Sequence, residues 1–333
     1  MAYQKRKRTE IVAKQPVQLY SDAENPNMLV SQPKVSQAMF DRFIAYLDVA
    51  PKTVETYKGN IKQFFVYLQE RGISSPTRED VIAFRDKVKE TCKPTTVENY
   101  IIALRQFFNW TASEGLYPNI AEHIKGAKID KEFKKDYFTS EQIRTILDGI
   151  DRNTVQGKRD YAMLLLMATC GLRDIEVNRA NIEDLRALGD NTVLYVQGKG
   201  HEEKSIFVKV PKPVETAIRA YLMERQNKTP ASPLFVSISN HGKDERLTTR
   251  SISRIAKNHF KAAGFDSDRL TSHSLRHSAI TLALLSNKNF RLDEVQQFSR
   301  HASIDILQTY NHSLDRANNQ CSEVVCSSIL GEE

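Results

Sequence analysis

Two imidazoles, an arginine and a tyrosine follow one another at short spacing late in the chain. His273 precedes Arg276 by three residues, and His301 precedes Tyr310 by nine. Imidazoles transfer protons near neutral pH, and a guanidinium can bind a phosphate through two parallel hydrogen bonds. A phenol has a pKa of about 10, so at pH 7 only about one in a thousand is ionised unless a base and positive charge lie beside it. The combination indicates a tyrosine hydroxyl that attacks a phosphodiester.

A second arginine and a lysine lie earlier in the sequence. A phosphodiester is an anion, so the negative charge that builds up on its oxygens during attack must be neutralised. Arg173 stands in the stretch Gly-Leu-Arg-Asp-Ile-Glu, and Lys199 lies between two glycines. We predict that Arg173 and Arg276 share the neutralisation, and that Glu176, about one helical turn beyond Arg173, orients its guanidinium.

Taken together, these motifs resemble those of the tyrosine recombinase (phage integrase) family. The resemblance covers roughly residues 36–320 and lies in an ordered set: Gly-Leu-Arg-x-x-Glu, Gly-Lys-Gly, His-x-Leu-Arg-His, and a His nine residues before a Tyr. It implies a site-specific DNA recombinase that cleaves and rejoins DNA through a 3′-phosphotyrosyl intermediate at Tyr310 and a Holliday junction. No cofactor and no metal is implied, because the arginines neutralise the charge that a metal neutralises elsewhere.

The resemblance also assigns roles to the matching side chains. Arg173 and Arg276 would hold the two non-bridging phosphate oxygens. His273 would be the base, and His301 would donate a hydrogen bond to a non-bridging oxygen or support proton transfer. Lys199 would protonate the departing 5′ oxygen, since an alkoxide is a poor leaving group.

Each of these residues also has a structural reading when it is taken singly. Tyr310 fits an amphipathic packing position, Arg173 a surface ion pair, and Lys199 a turn lysine, while His273 fits a helix N-cap. The ordered set favours catalysis over these readings. The sequence departs from the family pattern at Arg300, where Gly usually precedes the His, and this places a bulky cation near the site.

Composition favours a polyanionic partner without proving one. Lys and Arg exceed Asp and Glu by 48 − 41 = 7, and the excess is spread over the chain rather than concentrated in one segment. Any DNA-binding patch must therefore be formed by folding. There is no Gly-x-x-x-x-Gly-Lys-Ser/Thr loop, so ATP use is not indicated.

The cysteines and the apolar runs indicate in which cellular compartment we expect the protein. Cys92, Cys170, Cys321 and Cys326 form no Cys-x-x-Cys pair, which disfavours a zinc site and fits reduced thiols. The longest apolar run, at about 161–172, is too short to span a bilayer, and the N-terminus shows no apolar signal region. We expect a soluble cytoplasmic protein that does not engage a membrane.

The 333 residues suffice for two domains. We expect a flexible basic arm at 1–35, whose Lys-Arg-Lys-Arg quartet touches phosphates, mimics a nuclear signal or belongs to a solvated tail. An all-α helical bundle follows at 36–126, and a basic linker at 127–137. The catalytic domain then occupies 138–333. The family resemblance makes the bundle a core-binding domain and implies that the end of the chain contacts a neighbouring protomer.

The predicted fold is mainly α with a small β-hairpin. Apolar residues recur at helical spacing through the first domain, with Thr53 and Thr95 as N-cap candidates and Phe107, Phe108 and Trp110 as core. By the resemblance, two helices face the major groove and carry the candidate DNA contacts: Lys58, Lys62, Asn99 and Arg105. Any one of these could equally belong to an ordinary solvated face.

In the second domain, Thr139-Ser-Glu-Gln142 has the form of a capping box that opens a helix. Alternating stretches at 191–197 and 204–210 predict the hairpin, with Lys199 at its tip. Helices are expected over most of the remainder, including 212–227, 303–311 and 314–330.

Several biological roles fit this sequence. The resemblance implies four protomers on two duplexes of double-stranded DNA, with an accessory excision factor or host DNA-bending protein as a further partner. The basic arm and the unusual residues around His301 favour integration and excision of a mobile element. The alternatives are an Xer-type chromosome-dimer resolvase, a type IB topoisomerase that rejoins the same strand, and a DNA-binding regulator without catalysis.

Overall fold

The computed structural model describes residues 36–129, 136–198, 203–226, 228–239, 242–286, 291–301, 303–304, 307 and 326. The chain divides into two compact units, Met1–Lys131 and Glu132–Glu333. The arm expected at 1–35 lies outside the described residues, as do most of the helices expected at 303–311 and 314–330.

The described part of the first unit is helical. Its helices are α1 (Gln37–Tyr46), α2 (Pro51–Glu70), α3 (Arg78–Lys89) and α4 (Pro94–Ser113). Proline begins α2 and α4, because its fixed φ suits the first turn and its missing amide hydrogen has no partner there. The prediction that Thr53 and Thr95 cap these helices is therefore wrong: both lie within the first turn.

Aromatic side chains form the core of the first unit. Phe107 and Phe108 are fully buried on α4, with ring centroids 5.1 Å apart, and Trp110 is 4% exposed. Phe64 on α2 meets Phe108 edge to face at 6.1 Å. The prediction that Phe107, Phe108 and Trp110 belong to the core is confirmed. The burial of these rings fixes which faces of α2 and α4 remain open to solvent.

The second unit is built around one buried helix. Its described elements are α5 (Ser140–Asp148), α6 (Val155–Cys170), α7 (Asp174–Arg179), a 3-10 turn (Ile182–Asp184), β1 (Leu185–Leu188), β2 (Asn191–Val196), β3 (Ile206–Val210), α8 (Lys212–Met223), α9 (Thr249–Ala262), α10 (Ser272–Leu285) and α11 (Leu292–Ser299). Helix α6 packs against α5, α8, α9, α10 and β3, and it is apolar on several faces. No helix in the described ranges is long and apolar enough to cross a membrane.

A three-stranded antiparallel sheet lies in the second unit, in the order β1-β2-β3. Strands β2 and β3 pair from Thr192↔Val210 to Val196↔Ile206, which confirms the predicted hairpin. Strand β1 was not predicted from the sequence. It joins β2 through a tight turn in which Gly189 has a φ of 57°, a conformation that glycine adopts without steric cost.

In the second unit, the predicted start of α5 is correct and the predicted end of α8 is not. Thr139 accepts a hydrogen bond from the Gln142 amide at 3.2 Å, and the Thr139 amide donates to Gln142 Oε1 at 3.0 Å, so the predicted capping box is confirmed. Helix α8 ends at Met223, before the predicted end at 227. The mainly helical fold with a small sheet is confirmed.

Candidate active site

Arg173 is held at the junction between α6 and α7. Helix α6 ends at Cys170, and its C-cap, Gly171, has a left-handed backbone (φ 59°) that turns the chain. Arg173 is the N-cap of α7, and its amide donates to Glu176 Oε2 at 2.8 Å. Its Nη1 donates to Glu176 Oε1 at 2.9 Å, and its side chain is 24% exposed while that of Glu176 is 1% exposed. One buried carboxylate thus orients both the main chain and the guanidinium of Arg173.

Arg276 lies on α10 and is fully buried. Its Nη1 donates to the carbonyl oxygen of Gly171 at 2.5 Å, and its Nη2 donates to the carbonyl oxygen of Ser299. These carbonyls stand at the C-terminal ends of α6 and α11, where unpaired carbonyl groups carry partial negative charge. Two helix ends therefore stabilise a cation that has been removed from water.

The two arginines meet at the end of α11. Arg276 donates to the carbonyl of Ser299, and Arg173 Nη2 lies 3.5 Å from the carbonyl oxygen of the next residue, Arg300. His301 follows directly, and its own carbonyl accepts a hydrogen bond from the Gln296 side chain at 3.1 Å. Segments more than a hundred residues apart in sequence thus bring two guanidiniums and an imidazole together.

The electrostatics of His301 reflect this convergence. Its pKa is lowered from 6.5 to about 4. Burial is the largest cause, followed by the positive charges of neighbouring side chains: Arg276, Arg173, Arg300 and His273. His301 is therefore neutral at pH 7, and the positive charges of the arginines that lower its pKa lie close enough to act on a bound anion.

The start of α10 positions His273. Ser272 donates to Asp174 Oδ2 at 2.7 Å and shares a hydrogen bond of 2.9 Å with Ser253 on α9. Asp174 directly follows Arg173, so this link joins the first turn of α10 to the first turn of α7. The imidazole of His273 packs edge to face on that of His277, with centroids 4.6 Å apart. His273 is thus held at the start of α10, and its charge is one of those that lower the pKa of His301.

Two predicted residues, Lys199 and Tyr310, lie outside the described residues. The chain on either side of them is placed. Gly198 follows β2, and its carbonyl accepts a hydrogen bond from Arg179 Nη1 at 3.0 Å. Leu307 is fully buried in a small cluster with Ile280 of α10 and Val295 of α11. The chain is therefore anchored to the two helices that carry the site three residues before Tyr310.

The candidate DNA contacts of the first unit lie on α2 and α4. Lys58, Lys62 and Asn99 are exposed, while Arg105 donates to Glu98 Oε1 at 2.9 Å and is 40% exposed. Lys58 and Lys62 are four residues apart, so they share a face of α2. Arg105 is already engaged by a carboxylate, and contact with a phosphate would compete with that pair.

Sequence reasoning missed two groups at the site. One is the Ser272–Asp174 link, for which the sequence holds no signal because the partners are 98 residues apart. The other is the set of contacts made by Arg300, which binds Glu176 and several carbonyls. The departure from glycine at this position was visible in the sequence, but its contacts were not.

Comparisons with known proteins agree with this architecture. The Phage integrase family matches residues 136–317, and the N-terminal SAM-like domain of phage integrases matches residues 40–115. The tyrosine recombinase XerA of Pyrococcus furiosus is 30% identical over 82% of this chain and 88% of its own length.

Two solved structures show the same fold. The XerH recombinase in a post-cleavage complex with its difH substrate has a TM-score of 0.67 at 21% identity, covering 81% of this chain and 80% of that one. A lambda integrase tetramer bound to a Holliday junction has a TM-score of 0.60 at 16% identity, covering 80% and 77%. The family match spans more than half of the chain, and this protein belongs to the phage integrase family of tyrosine recombinases.

Proposed function

We propose that this protein is a site-specific DNA recombinase in which Tyr310 attacks a phosphodiester. The phenolic oxygen bonds to phosphorus and the bond to the 5′ oxygen breaks, which leaves a 3′-phosphotyrosyl link and a free 5′ hydroxyl. One phosphodiester replaces another of similar energy, so the reaction needs no nucleotide and can be reversed by a 5′ hydroxyl from a second duplex. The observation that carries the proposal is the meeting of Arg173, Arg276 and His301 at the end of α11.

The roles follow from charge and access. Arg173 is partly exposed, so its guanidinium can reach a non-bridging oxygen while Glu176 fixes its direction. Arg276 is closed off from solvent and bound to two carbonyls. Its buried guanidinium contributes positive charge to the wall of the site, beside Arg173 and His301.

Proton transfer falls to the remaining groups. His273 accepts the phenolic proton, and Lys199 donates a proton to the departing 5′ oxygen. His301 is neutral at pH 7 because of its lowered pKa, so it offers an N–H hydrogen bond to a non-bridging oxygen without adding charge. Glu176 acts through Arg173 and does not touch the substrate.

Recombination of two duplexes requires several protomers. The solved lambda integrase complex is a tetramer on a Holliday junction, and we assign the same assembly to this chain. Lys58, Lys62, Asn99 and Arg105 are proposed to contact DNA from the first unit. The C-terminal segment is proposed to dock on a neighbouring protomer. An accessory excision or DNA-bending protein is proposed to determine whether recombination integrates or excises, because the strand-exchange chemistry itself is nearly isoenergetic.

For the biological role we propose integration and excision of a mobile element, in the cytoplasm where host DNA is accessible. The basic quartet at residues 5–8 and Arg300 support this proposal. The second candidate is dimer resolution of the Xer type, which the similarity to XerA of Pyrococcus furiosus favours. Amplification of an excised circular junction supports the first role, and resolution of plasmid multimers that carry a host chromosomal site supports the second.

A nicked suicide substrate tests the chemistry. After cleavage beside the nick, the short strand that carries the 5′ hydroxyl dissociates, so the DNA cannot be rejoined. The covalent complex therefore accumulates, and it migrates slowly on a denaturing gel. The native chain and Tyr137→Phe, a change at an exposed tyrosine, should form the adduct, and Tyr310→Phe should not. Adduct formation by Tyr310→Phe contradicts the proposed nucleophile. DNA binding without any adduct by the native chain favours the non-catalytic regulator, and supercoil relaxation without strand exchange favours the topoisomerase.

A further inference from the structure

Arg300 adopts a backbone conformation that arginine seldom takes. It is the C-cap of α11 and has φ 55° and ψ 39°, in the left-handed region where glycine ends many helices. A residue with a Cβ is disfavoured there, so the side chain must provide compensating contacts. The side chain of Arg300 is only 4% exposed.

The contacts of Arg300 are all internal. Its Nη2 donates to Glu176 Oε2 at 3.0 Å and to the Gly171 carbonyl at 2.8 Å. Its Nη1 donates to the Phe298 carbonyl at 2.7 Å and lies 3.4 Å from the Cys170 carbonyl oxygen. Its Nε lies 3.5 Å from Glu176 Oε1. A guanidinium has five N–H donors, and the five contacts of this one are all with acceptors of the protein. Arg300 is therefore not a third phosphate ligand.

These contacts join three pieces of the site. The carbonyls of Cys170 and Gly171 end α6, Glu176 belongs to α7, and Arg300 itself ends α11. Two of the acceptors are shared with the proposed catalytic arginines: Glu176 with Arg173, and the Gly171 carbonyl with Arg276. The side chain thus ties the segment that carries His301 to the turn that carries Arg173.

Sharing of Glu176 has a further effect on Arg173. Glu176 Oε1 receives Arg173 Nη1 at 2.9 Å, while Oε2 receives the Arg173 amide and Arg300 Nη2. A carboxylate beside a single arginine tends to bind it through two parallel bonds. Arg300 Nη2 and the Arg173 amide share Oε2, and Arg300 Nε lies 3.5 Å from Oε1, so only one terminal nitrogen of Arg173 is held by the carboxylate.

We propose that Arg300 is a positioning residue of the recombinase site: it fixes His301 against the Arg173 turn and prevents Glu176 from binding both terminal nitrogens of Arg173. This inference rests on the proposed function of the site. Glycine at this position satisfies the backbone but provides neither effect. In this chain, Arg300 and its side-chain contacts stand at the position where the family pattern has glycine.

Three substitutions at Arg300 separate backbone from side chain. Arg300→Gly and Arg300→Ala both remove the guanidinium, but only glycine relieves the left-handed backbone. Arg300→Lys keeps the charge and cannot span Glu176 and the carbonyls at once. Arg291→Ala is the matched control, because Arg291 is the N-cap of α11, at the opposite end from Arg300. Its side chain is 77% exposed and forms a surface ion pair with Asp293.

The readout is the single-turnover rate of covalent adduct formation at saturating DNA, with the dissociation constant measured separately. We expect Gly, Ala and Lys variants to lose about tenfold or more in rate, as misplaced reacting groups do, and to bind DNA within about twofold of the native chain. Arg291→Ala should cleave at the native rate. The NMR titration of the His301 ring in Arg300→Gly should give a higher pKa, because Arg300 is one of the charges that lower it.

The outcomes are distinct from those that test the nucleophile. If the native chain forms no adduct, the proposed function fails before Arg300 is considered. If the native chain forms the adduct and Arg300→Gly matches its rate, Arg300 is not a positioning residue. If Arg300→Lys cleaves at the native rate, charge alone matters and the proposal is wrong. The lysine variant also provides the test if the glycine and alanine variants do not fold.

Discussion

Replacement of Glu176 by glutamine should destabilise the second unit strongly at neutral pH. The Glu176 side chain is 1% exposed and accepts three close charge-assisted or amide hydrogen bonds, from Arg173 Nη1 at 2.9 Å, the Arg173 amide at 2.8 Å and Arg300 Nη2 at 3.0 Å. Glutamine keeps one acceptor oxygen but turns an NH₂ group toward donors. It also leaves the buried Arg300 guanidinium without a counter-charge.

Loss of one partner from a buried ion pair costs about 3–5 kcal/mol. Arg173 is partly hydrated, and glutamine retains one acceptor, so we expect the lower end, about 3 kcal/mol. In a unit of this size each kcal/mol lowers the melting temperature by about 2–4 °C, which gives a decrease of about 6–12 °C. Urea unfolding followed by circular dichroism measures the free energy directly.

The pH dependence provides an internal check on this cause. Burial raises the pKa of Glu176, but the contacts with Arg300 and Arg173 outweigh it, and the pKa is lowered overall. The stabilising contribution of the carboxylate is therefore present above the unfolded pKa of about 4.3 and is lost as pH falls through the lower folded value. The difference in the free energy of unfolding between the native chain and Glu176→Gln should have its full value at pH 7 and should become smaller below about pH 4.

The control is Glu183→Gln, which changes an exposed carboxylate of the same unit and should alter the free energy of unfolding by less than about 0.5 kcal/mol. A loss below about 1 kcal/mol for Glu176→Gln at pH 7 would refute the buried ion-pair reasoning. So would a loss that is equally large at pH 3, because it would trace to packing rather than charge.

Arg173→Ala should slow single-turnover cleavage by about 10²–10³, the effect of removing one preorganised donor, in a quench assay with the suicide substrate. Thr139→Ala should cost about 1 kcal/mol in urea unfolding, because it removes the N-cap oxygen of α5. Lys62→Ala should lower the slope of log K against log salt by about 1 in fluorescence titrations if that side chain neutralises a phosphate. The pKa of His301 is about 4 in the folded chain, so protonation favours unfolding and stability should fall between pH 6.5 and 4; His301→Asn should flatten that part of the stability curve.

Local signals in the sequence predicted local structure well. The capping box at Thr139 fixed the start of α5, and apolar periodicity located the helices that bury Phe107 and Phe108. The N-cap predictions at Thr53 and Thr95 failed because the neighbouring prolines were better start signals. Strand β1 was missed because only four residues form it, although a Gly-Asp turn precedes β2.

The details of the site depend on contacts between distant segments, and the sequence could not supply them. The order of the motifs predicted that Arg173, Arg276 and His301 act together, and the structure brings them to one place. The burial of Arg276 between the ends of α6 and α11 could not be inferred, because it depends on how α10 packs. Likewise, the left-handed backbone of Arg300 has no local signal, since its cost is offset by partners more than a hundred residues away.

The identity of the residue that joins DNA tests the account most directly. The covalent complex formed on a suicide substrate can be digested with trypsin and nuclease, and the DNA-linked peptide identified by mass spectrometry. Cleavage after Arg300 and Arg316 releases residues 301–316, which contain Tyr310 as their single tyrosine. We expect a nucleotide joined through its 3′ phosphate to Tyr310 in that peptide. A link to any other residue, or a 5′ phosphate link, would contradict it.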